Sequence, residues 1–212
     1  MRKLLYKEMR LSANPLSYWF ITFSAMTMIP RYPILVGSFF ICLGIFYTYQ
    51  QARECDDITY TVMLPVRKQD AVTAKYLFVL LIELVAFILC ALLTIIRMKT
   101  LGDAAPYVTN QLMNANAAYL GYIMLVFSIF LVGFFKTAYK IGKPFILFCV
   151  VRTIIILMGE VLHHIPGLES LNDPANLSIP QVVILLIGIV MFKLCTWFSY
   201  RKAVKDFERL DL

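Results

Sequence analysis

The sequence predicts an all-α integral membrane protein, and two observations support this fold class. First, 60% of the 212 residues are hydrophobic and only 16% are charged, so the chain has few polar side chains with which to cover a soluble domain. Second, the hydrophobic residues form runs that alternate with short basic segments. In a bilayer every backbone N–H and C=O must be bonded internally, and a helix of about 20 apolar residues achieves this.

Six apolar runs predict six transmembrane helices within one domain, residues 1–212. Before them, residues 1–13 alternate basic and apolar side chains at helical spacing, which predicts a helix lying in the membrane interface. An Asn-Pro pair at 14–15 ends that helix. The first apolar run is short for a span, and two prolines predict a turn at 30–33. The predicted spans are 16–29, 34–50, 76–96, 115–135, 144–162 and 179–200.

The distribution of basic residues predicts the orientation of these spans. Of the 20 Lys and Arg residues, fifteen lie on segments that share one side of the membrane with the N-terminus, and two lie within spans. The opposite loops hold only Arg31, Arg97 and Lys99. Because cytoplasmic loops carry the excess of Lys and Arg, both termini are expected in the cytoplasm of a multi-pass plasma-membrane protein.

Several other classes of protein are disfavoured by the sequence. The net charge of +7 is accounted for by topology, and no stretch resembles a polar nucleic-acid-binding module. Five cysteines occur singly, without the spacing of a metal site or a disulfide framework. No G-x-x-x-x-G-K-[ST] loop is present, and Gly142-Lys143-Pro144 lacks the hydroxyl residue. We therefore expect no enzymatic activity, metal or cofactor in this chain, and any ATP must be bound by another chain.

The loop between the second and third predicted spans contains a short amphipathic helix. Asp56 and Asp57 are placed to cap its N-terminus, and Pro65 is placed to stop it. Its apolar side would be formed by Ile58, Val62, Met63 and Leu64. Such a helix either binds a cytoplasmic partner or rests on the lipid surface.

This loop also carries a resemblance to a known family. The order Glu54…Leu64-Pro65-Val66-Arg67…Val72…Lys75-Tyr76-Leu77 resembles the small ABC-2-type permeases of bacterial ABC exporters. The basic helix at 1–13 is similar to their elbow helix, and the ending at 199–212 is similar to their tail.

The resemblance implies a permease that pairs with a second permease copy and with two cytoplasmic ATPases, which hold ATP and Mg²⁺. The helix at 56–64 would be the coupling helix, seated in a groove of the ATPase. The residues implied in docking are Glu54, Asp56, Asp57, Ile58, Val62, Met63 and Leu64. Some small members of this family export amphipathic peptides, including phenol-soluble modulins and bacteriocins.

Three charged residues, Glu83, Arg152 and Lys193, fall inside predicted spans. Each is seven to nine residues from the inner end of its span, which places all three at a depth on the order of 10–14 Å. Charges at this depth are expected to face one another or a wet cavity. A Glu83–Arg152 ion pair and a role in the substrate path both remain open, and snorkelling towards the interface also accounts for Lys193.

A carboxylate and two histidines, Glu160, His163 and His164, lie at the end of the fifth predicted span. Adjacent residues on a helix point about 100° apart, so the two histidines are poorly placed to share a metal ion. No H-E-x-x-H pattern is present. These residues are expected to form a polar cap at the membrane surface.

The predicted function is the permease subunit of an ABC-2-type exporter that moves amphipathic peptides or other hydrophobic molecules across the membrane. One alternative is a proton-coupled secondary transporter that uses Glu83 as its proton site, although the sequence shows no inverted repeat. Another is a non-transporting membrane protein with an immunity or scaffold role.

Overall fold

The computed structural model describes residues 2–29, 34–101, 130–137, 140–162, 165–167 and 179–210, and every regular element in these ranges is a helix. This agrees with the predicted all-α class. The elements are α1 (Arg2–Lys7) followed by a π-helix (Glu8–Ser12), α2 (Pro15–Ile21) followed by a 3₁₀ helix (Thr22–Met28), α3 (Ile34–Glu54), α4 (Asp57–Met63), α5 (Lys68–Leu101), α6 (helical residues 130–135), α7 (Gly142–Leu162) and α8 (Ile179–Glu208).

The first apolar run forms two short helices that pack against α3. Asn14 caps α2 by accepting a hydrogen bond at Oδ1 from the Leu16 backbone N–H (2.9 Å). Ser17 Oγ then donates to the Gly44 carbonyl of α3. A Cβ atom on Gly44 would lie 3.0 Å from the Ser17 Cα, so glycine is what permits this close approach. The run thus lies directly against the second predicted span.

The centre of the molecule is an aromatic cluster contributed by α3, α5, α6, α7 and α8. Tyr49 of α3 meets Phe134 of α6 edge to face, with ring centroids 4.6 Å apart. Phe135 of α6 meets Phe207 of α8 in the same way at 5.6 Å. Edge-to-face packing is favourable for aromatic rings because their edges and faces carry opposite partial charge. The rings with almost no exposed surface are Tyr49, Phe78, Phe130, Phe134, Phe135, Phe148 and Phe207.

The C-terminal half of α8 packs along the first turns of α5. Tyr76 Oη and Ser199 Oγ share a hydrogen bond of 2.7 Å, and Thr73 Oγ1 and Tyr200 Oη share one of 2.9 Å. Ser199, Ala203 and Phe207, spaced four residues apart, form the buried side of α8 here. The tail is therefore joined to the segment that directly follows α4.

Two helical stretches, Lys68–Leu93 and Ile179–Glu208, are long and apolar enough to cross a bilayer. They correspond to the third and sixth predicted spans. Of the fourth predicted span only residues 130–135 are described, and they are helical. The predicted turn at 30–33 and both histidines, 163 and 164, lie outside the described residues.

Helix α5 is longer than predicted and corrects the placement of Arg97. The sequence placed Arg97 in a loop, but α5 continues to Leu101 and buries this residue within the helix. Its Nη1 donates to the Thr27 carbonyl at 2.9 Å. Thr27 lies near the end of the 3₁₀ helix, where the last carbonyls lack helical partners. Arg97, which the sequence predicts to lie in a loop, therefore joins α5 to the 3₁₀ helix.

Candidate functional site

The predicted short helix is present as α4, but its N-terminus is not capped as predicted. Asp56 occupies the N-cap position with φ = 49°, in the left-handed region, and its side chain makes no capping hydrogen bond. Asp57, in the first turn, points its carboxylate towards the N-terminal segment instead. The helix ends at Met63, with Leu64 extended and Pro65 following. The turn at Asp56 therefore sets the direction in which α4 leaves α3.

Asp57 belongs to a buried group of two cations and two carboxylates, which we call the charge cluster: Lys7, Glu8, Asp57 and Lys75. Lys75 Nζ lies 2.8 Å from Glu8 Oε2 and 2.8 Å from Asp57 Oδ2. Lys7 Nζ lies 2.5 Å from Asp57 Oδ1 and 3.2 Å from Glu8 Oε1. Each cation thus contacts both carboxylates, and the cluster is electrically neutral.

Hydroxyl groups complete the charge cluster. Ser12 Oγ donates to Asp57 Oδ1 at 2.9 Å, and Lys7 Nζ donates to Thr61 Oγ1 at 2.6 Å. Burial alone would raise the pKa of the Asp57 carboxyl, but Lys75 and Lys7 outweigh it and lower that pKa to about 2. Asp57 is therefore ionised under all physiological conditions, as a buried ion network requires.

The charge cluster joins three parts of the chain that are distant in sequence. Lys7 and Glu8 come from the N-terminal helices, Asp57 from α4 and Lys75 from α5. The sequence had assigned Lys7 to the basic face of an interfacial helix and Lys75 to a basic loop, so the role of both residues was missed. The sequence feature that could have indicated this cluster is Glu8, the single acidic residue among the basic residues of 1–13.

The apolar residues of α4 divide between two faces. Ile58 is 5% exposed and Val62 is half-buried against the central cluster, so these two implied docking residues pack within their own chain. Leu64 is also half-buried. Met63 is 78% exposed and Tyr60, one turn before it, is 60% exposed. Ile58 and Val62 therefore anchor α4 to its own chain, and Tyr60, which was not anticipated, lies with Met63 on the open face of the helix.

The N-terminal end of α4 presents acidic side chains. Glu54 and Asp56 are exposed. Glu54 accepts a hydrogen bond at Oε1 from Gln50 (3.1 Å) and lies 4.0 Å from Arg53 Nη2. Exposed pairs of this kind contribute little to stability because water screens them. Both carboxylates remain accessible to a partner.

Two of the three charged residues within predicted spans are buried in the structure. Arg152 of α7 is buried; its Nη2 donates to Ser38 Oγ at 3.3 Å, and its guanidinium lies 4.8 Å from the centre of the Phe39 ring. Glu83 of α5 is buried as well. The Glu83–Arg152 ion pair stays a prediction. Lys193 is exposed on α8.

These features define a class of protein before any comparison is made. The chain is strongly apolar and helical, and it holds one short helix in a fixed position beside a long apolar helix. The exposed side of that short helix carries an aromatic ring and a thioether, which are side chains typical of protein–protein contacts. These features are those of a helical membrane protein with a short helix suited to contact with another protein.

Comparison with known families identifies the chain. A family model described as "ABC-2 family transporter protein" matches residues 3–208, and the chain belongs to this family. It is the membrane permease subunit of an ABC-type transporter and is not itself an enzyme. Membership implies a partner ATPase and argues against the secondary-transport and immunity readings. Comparisons with curated proteins and with solved structures give no match.

Proposed function

We propose that this permease is an exporter subunit that docks its ATPase through the open face of α4, formed by Tyr60 and Met63. The observation that supports docking is the contrast between the two sides of α4. One side is bound to its own chain by Ile58 and the charge cluster, and the other leaves two large side chains in solvent. Tyr and Met in such positions are enriched in protein interfaces.

The charge cluster supports a mechanical role for α4. A coupling helix must pass a movement of the ATPase to the spans without bending away from them. Asp57 is held through Lys75 to α5 and through Lys7 to α1, so a displacement of α4 acts on both helices. The exposed Glu54 and Asp56 offer additional charge complementarity to the ATPase.

The proposed cargo is an amphipathic peptide or another hydrophobic molecule that enters from the lipid. The side chains exposed along α7 and α8 are large and apolar, among them Leu157, Met158, Leu186 and Phe198. Such surfaces offer few hydrogen bonds to a hydrophilic solute. The complete proposed transporter contains two permease copies, each with six spans and cytoplasmic termini, and two ATPases that supply ATP and Mg²⁺ binding in the plasma membrane.

The docking proposal is tested by substituting the open face of α4. Met63→Asp would bury an unpartnered charge in the contact, which costs several kcal/mol. We expect pull-down of the ATPase and stimulated ATP hydrolysis to fall more than about tenfold, the change that corresponds to 1.4 kcal/mol. Because Met63 is exposed in the free subunit, elution of the permease in size-exclusion chromatography should not change.

Two further variants separate docking from folding. Met63→Leu keeps an apolar side chain and should retain ATPase binding, while Ile58→Asp places a charge in the central cluster and should lower folded yield itself. Full ATPase binding by correctly folded Met63→Asp would show that α4 does not dock the ATPase.

A further inference from the structure

A groove of about 570 Å³ lies between α5 and α8, on the part of these helices nearer to α4. Its α5 wall includes Tyr76, Leu77 and Leu80, and its α8 wall includes Phe192 and Trp197. The α5 wall begins five residues after Lys68, so the groove starts about 8 Å along that helix. It therefore occupies the membrane leaflet on the α4 side of the protein.

Two cations of α8 lie along this groove. Lys193 lines it, and the Arg201 guanidinium stacks 4.3 Å from the centre of the Trp197 ring. The two cations are eight residues apart, about 12 Å along α8, with Trp197 midway between them. A single anion placed over Trp197 is within reach of both flexible side chains.

A hydroxyl group at the same level is unsatisfied. Thr196 lines the groove, and its Oγ1 is buried without a hydrogen-bond partner within the described part of the chain. The Tyr200 and Thr73 hydroxyls, which bond to each other, line the groove one helical turn nearer to α4. Buried polar atoms are normally bonded, so this hydroxyl is available to a hydrogen-bonding ligand in the groove.

We propose that the groove binds one anionic phospholipid. An acyl chain lies along Leu80 and Phe192, and the phosphate lies between Lys193 and Arg201 at the level of Thr196. Basic pockets between membrane helices are suited to anionic head groups, and a phosphate gives Lys193 the counter-charge that surrounding hydrocarbon lacks.

Charge complementarity favours a lipid over a second permease copy as the occupant. Arg201 is followed by exposed Lys202 and Lys205, so α8 ends in a cationic surface where the groove meets the interface. Two copies meeting here would bring these cations together, whereas an anionic leaflet is attracted to them. The proposal is independent of the identity of the cargo and of the docking site on α4.

The test is lipid retention by the full-length permease in detergent, measured by native mass spectrometry after addition of phosphatidylglycerol or phosphatidylcholine. We expect one phosphatidylglycerol per chain, retained at least fivefold more than phosphatidylcholine, and a matching rise in melting temperature. Lys193→Leu removes a charge from an apolar span and should preserve the fold while reducing this preference to below twofold. Lys205→Leu, the matched loss of one charge outside the groove, should leave the preference unchanged.

A second variant tests the groove by shape alone. Leu80→Trp fills the proposed acyl path without changing charge and should also abolish selective retention. Equal retention of the two lipids by the wild type, an unchanged preference in Lys193→Leu, or an equal loss in Lys205→Leu would overturn the proposal. So would efficient disulfide cross-linking between two copies through a cysteine at Leu77, since the groove would then be covered by protein.

Discussion

At the residue scale, two buried cations illustrate how the protein accommodates charge. Lys75 is 4% exposed and contacts two carboxylates, so its charge is neutralised by ion pairs. Arg152 is equally buried, and its contacts include the hydroxyl of Ser38 and the face of the Phe39 ring. A planar guanidinium is weakly hydrated and stacks on aromatic rings more readily than a compact, strongly hydrated ammonium. The contact with Phe39 therefore suits an arginine better than a lysine.

The charge cluster leads to a prediction about Lys75. Lys75→Met would leave Glu8 and Asp57 buried with only Lys7 between them, and removing one partner of a buried ion network costs about 3–5 kcal/mol. We expect a large drop in melting temperature of the purified protein. The double variant Lys75→Met with Glu8→Gln restores neutrality and should recover part of the loss. Loss of the same size from Lys68→Met, a half-buried lysine outside the cluster, would contradict this account.

At the scale of helices, close packing depends on two glycines that lie against neighbouring elements. A Cβ on Gly133 of α6 would lie 2.6 Å from both Cβ and Cγ of Pro144 in α7. A Cβ on Gly44 would come within 3.0–3.1 Å of Ser17 and Phe20. In membrane proteins such small residues permit the helix contacts that van der Waals packing stabilises. The ring of Pro144 is rigid, so the contact at Gly133 can adjust to an added methyl group less easily than the contact at Gly44.

The contact between Gly133 and Pro144 predicts that alanine substitution affects stability differently at Gly133 and at Gly37. Gly133→Ala forces α6 and α7 apart, and overpacking of this kind costs about 1–3 kcal/mol. Gly37→Ala in α3 is the matched control, because its Cβ would meet only the Phe23 carbonyl at 3.6 Å. We expect the melting temperature in detergent to fall for Gly133→Ala and to stay level or rise slightly for Gly37→Ala. Equal melting temperatures would contradict the proposed packing constraint.

At the scale of the whole molecule, the basic residues and the charge cluster are on one side. The sequence places Lys7 and Lys75 among the fifteen basic residues of the predicted cytoplasmic side, and the structure brings both to Asp57 of α4. Arg97, which the sequence assigned to the opposite side, donates a hydrogen bond to the Thr27 carbonyl. The positive-inside rule predicts that the more basic end, which carries α4, is cytoplasmic.

Accessibility labelling tests this orientation. Single cysteines at Asp103 and Glu169, in a background without other cysteines, should react with an impermeant thiol reagent in intact cells. Cysteines at Arg67 and Lys140 should react only after the cells are opened. The reverse pattern would place α4 outside and would exclude docking to a cytoplasmic ATPase.

The sequence alone determined the all-α membrane class, the family and the position of the short helix α4. These features follow from composition, from the lengths of apolar runs and from breakers such as Pro65, all of which are local properties. The placement of Glu83, Arg152 and Lys193 within helices was equally predictable, since each lies in a long apolar run.

Only the tertiary structure decided which side chains meet. Residue spacing gives the position of a side chain along its helix, but it does not give the neighbouring helix that the side chain faces. For this reason Ile58, which the sequence assigned to the contact with a partner, packs inside its own chain. Lys75 read as a loop cation but lies between Glu8 and Asp57, because the contact between the N-terminal helices, α4 and α5 makes pairing there more favourable than exposure to lipid.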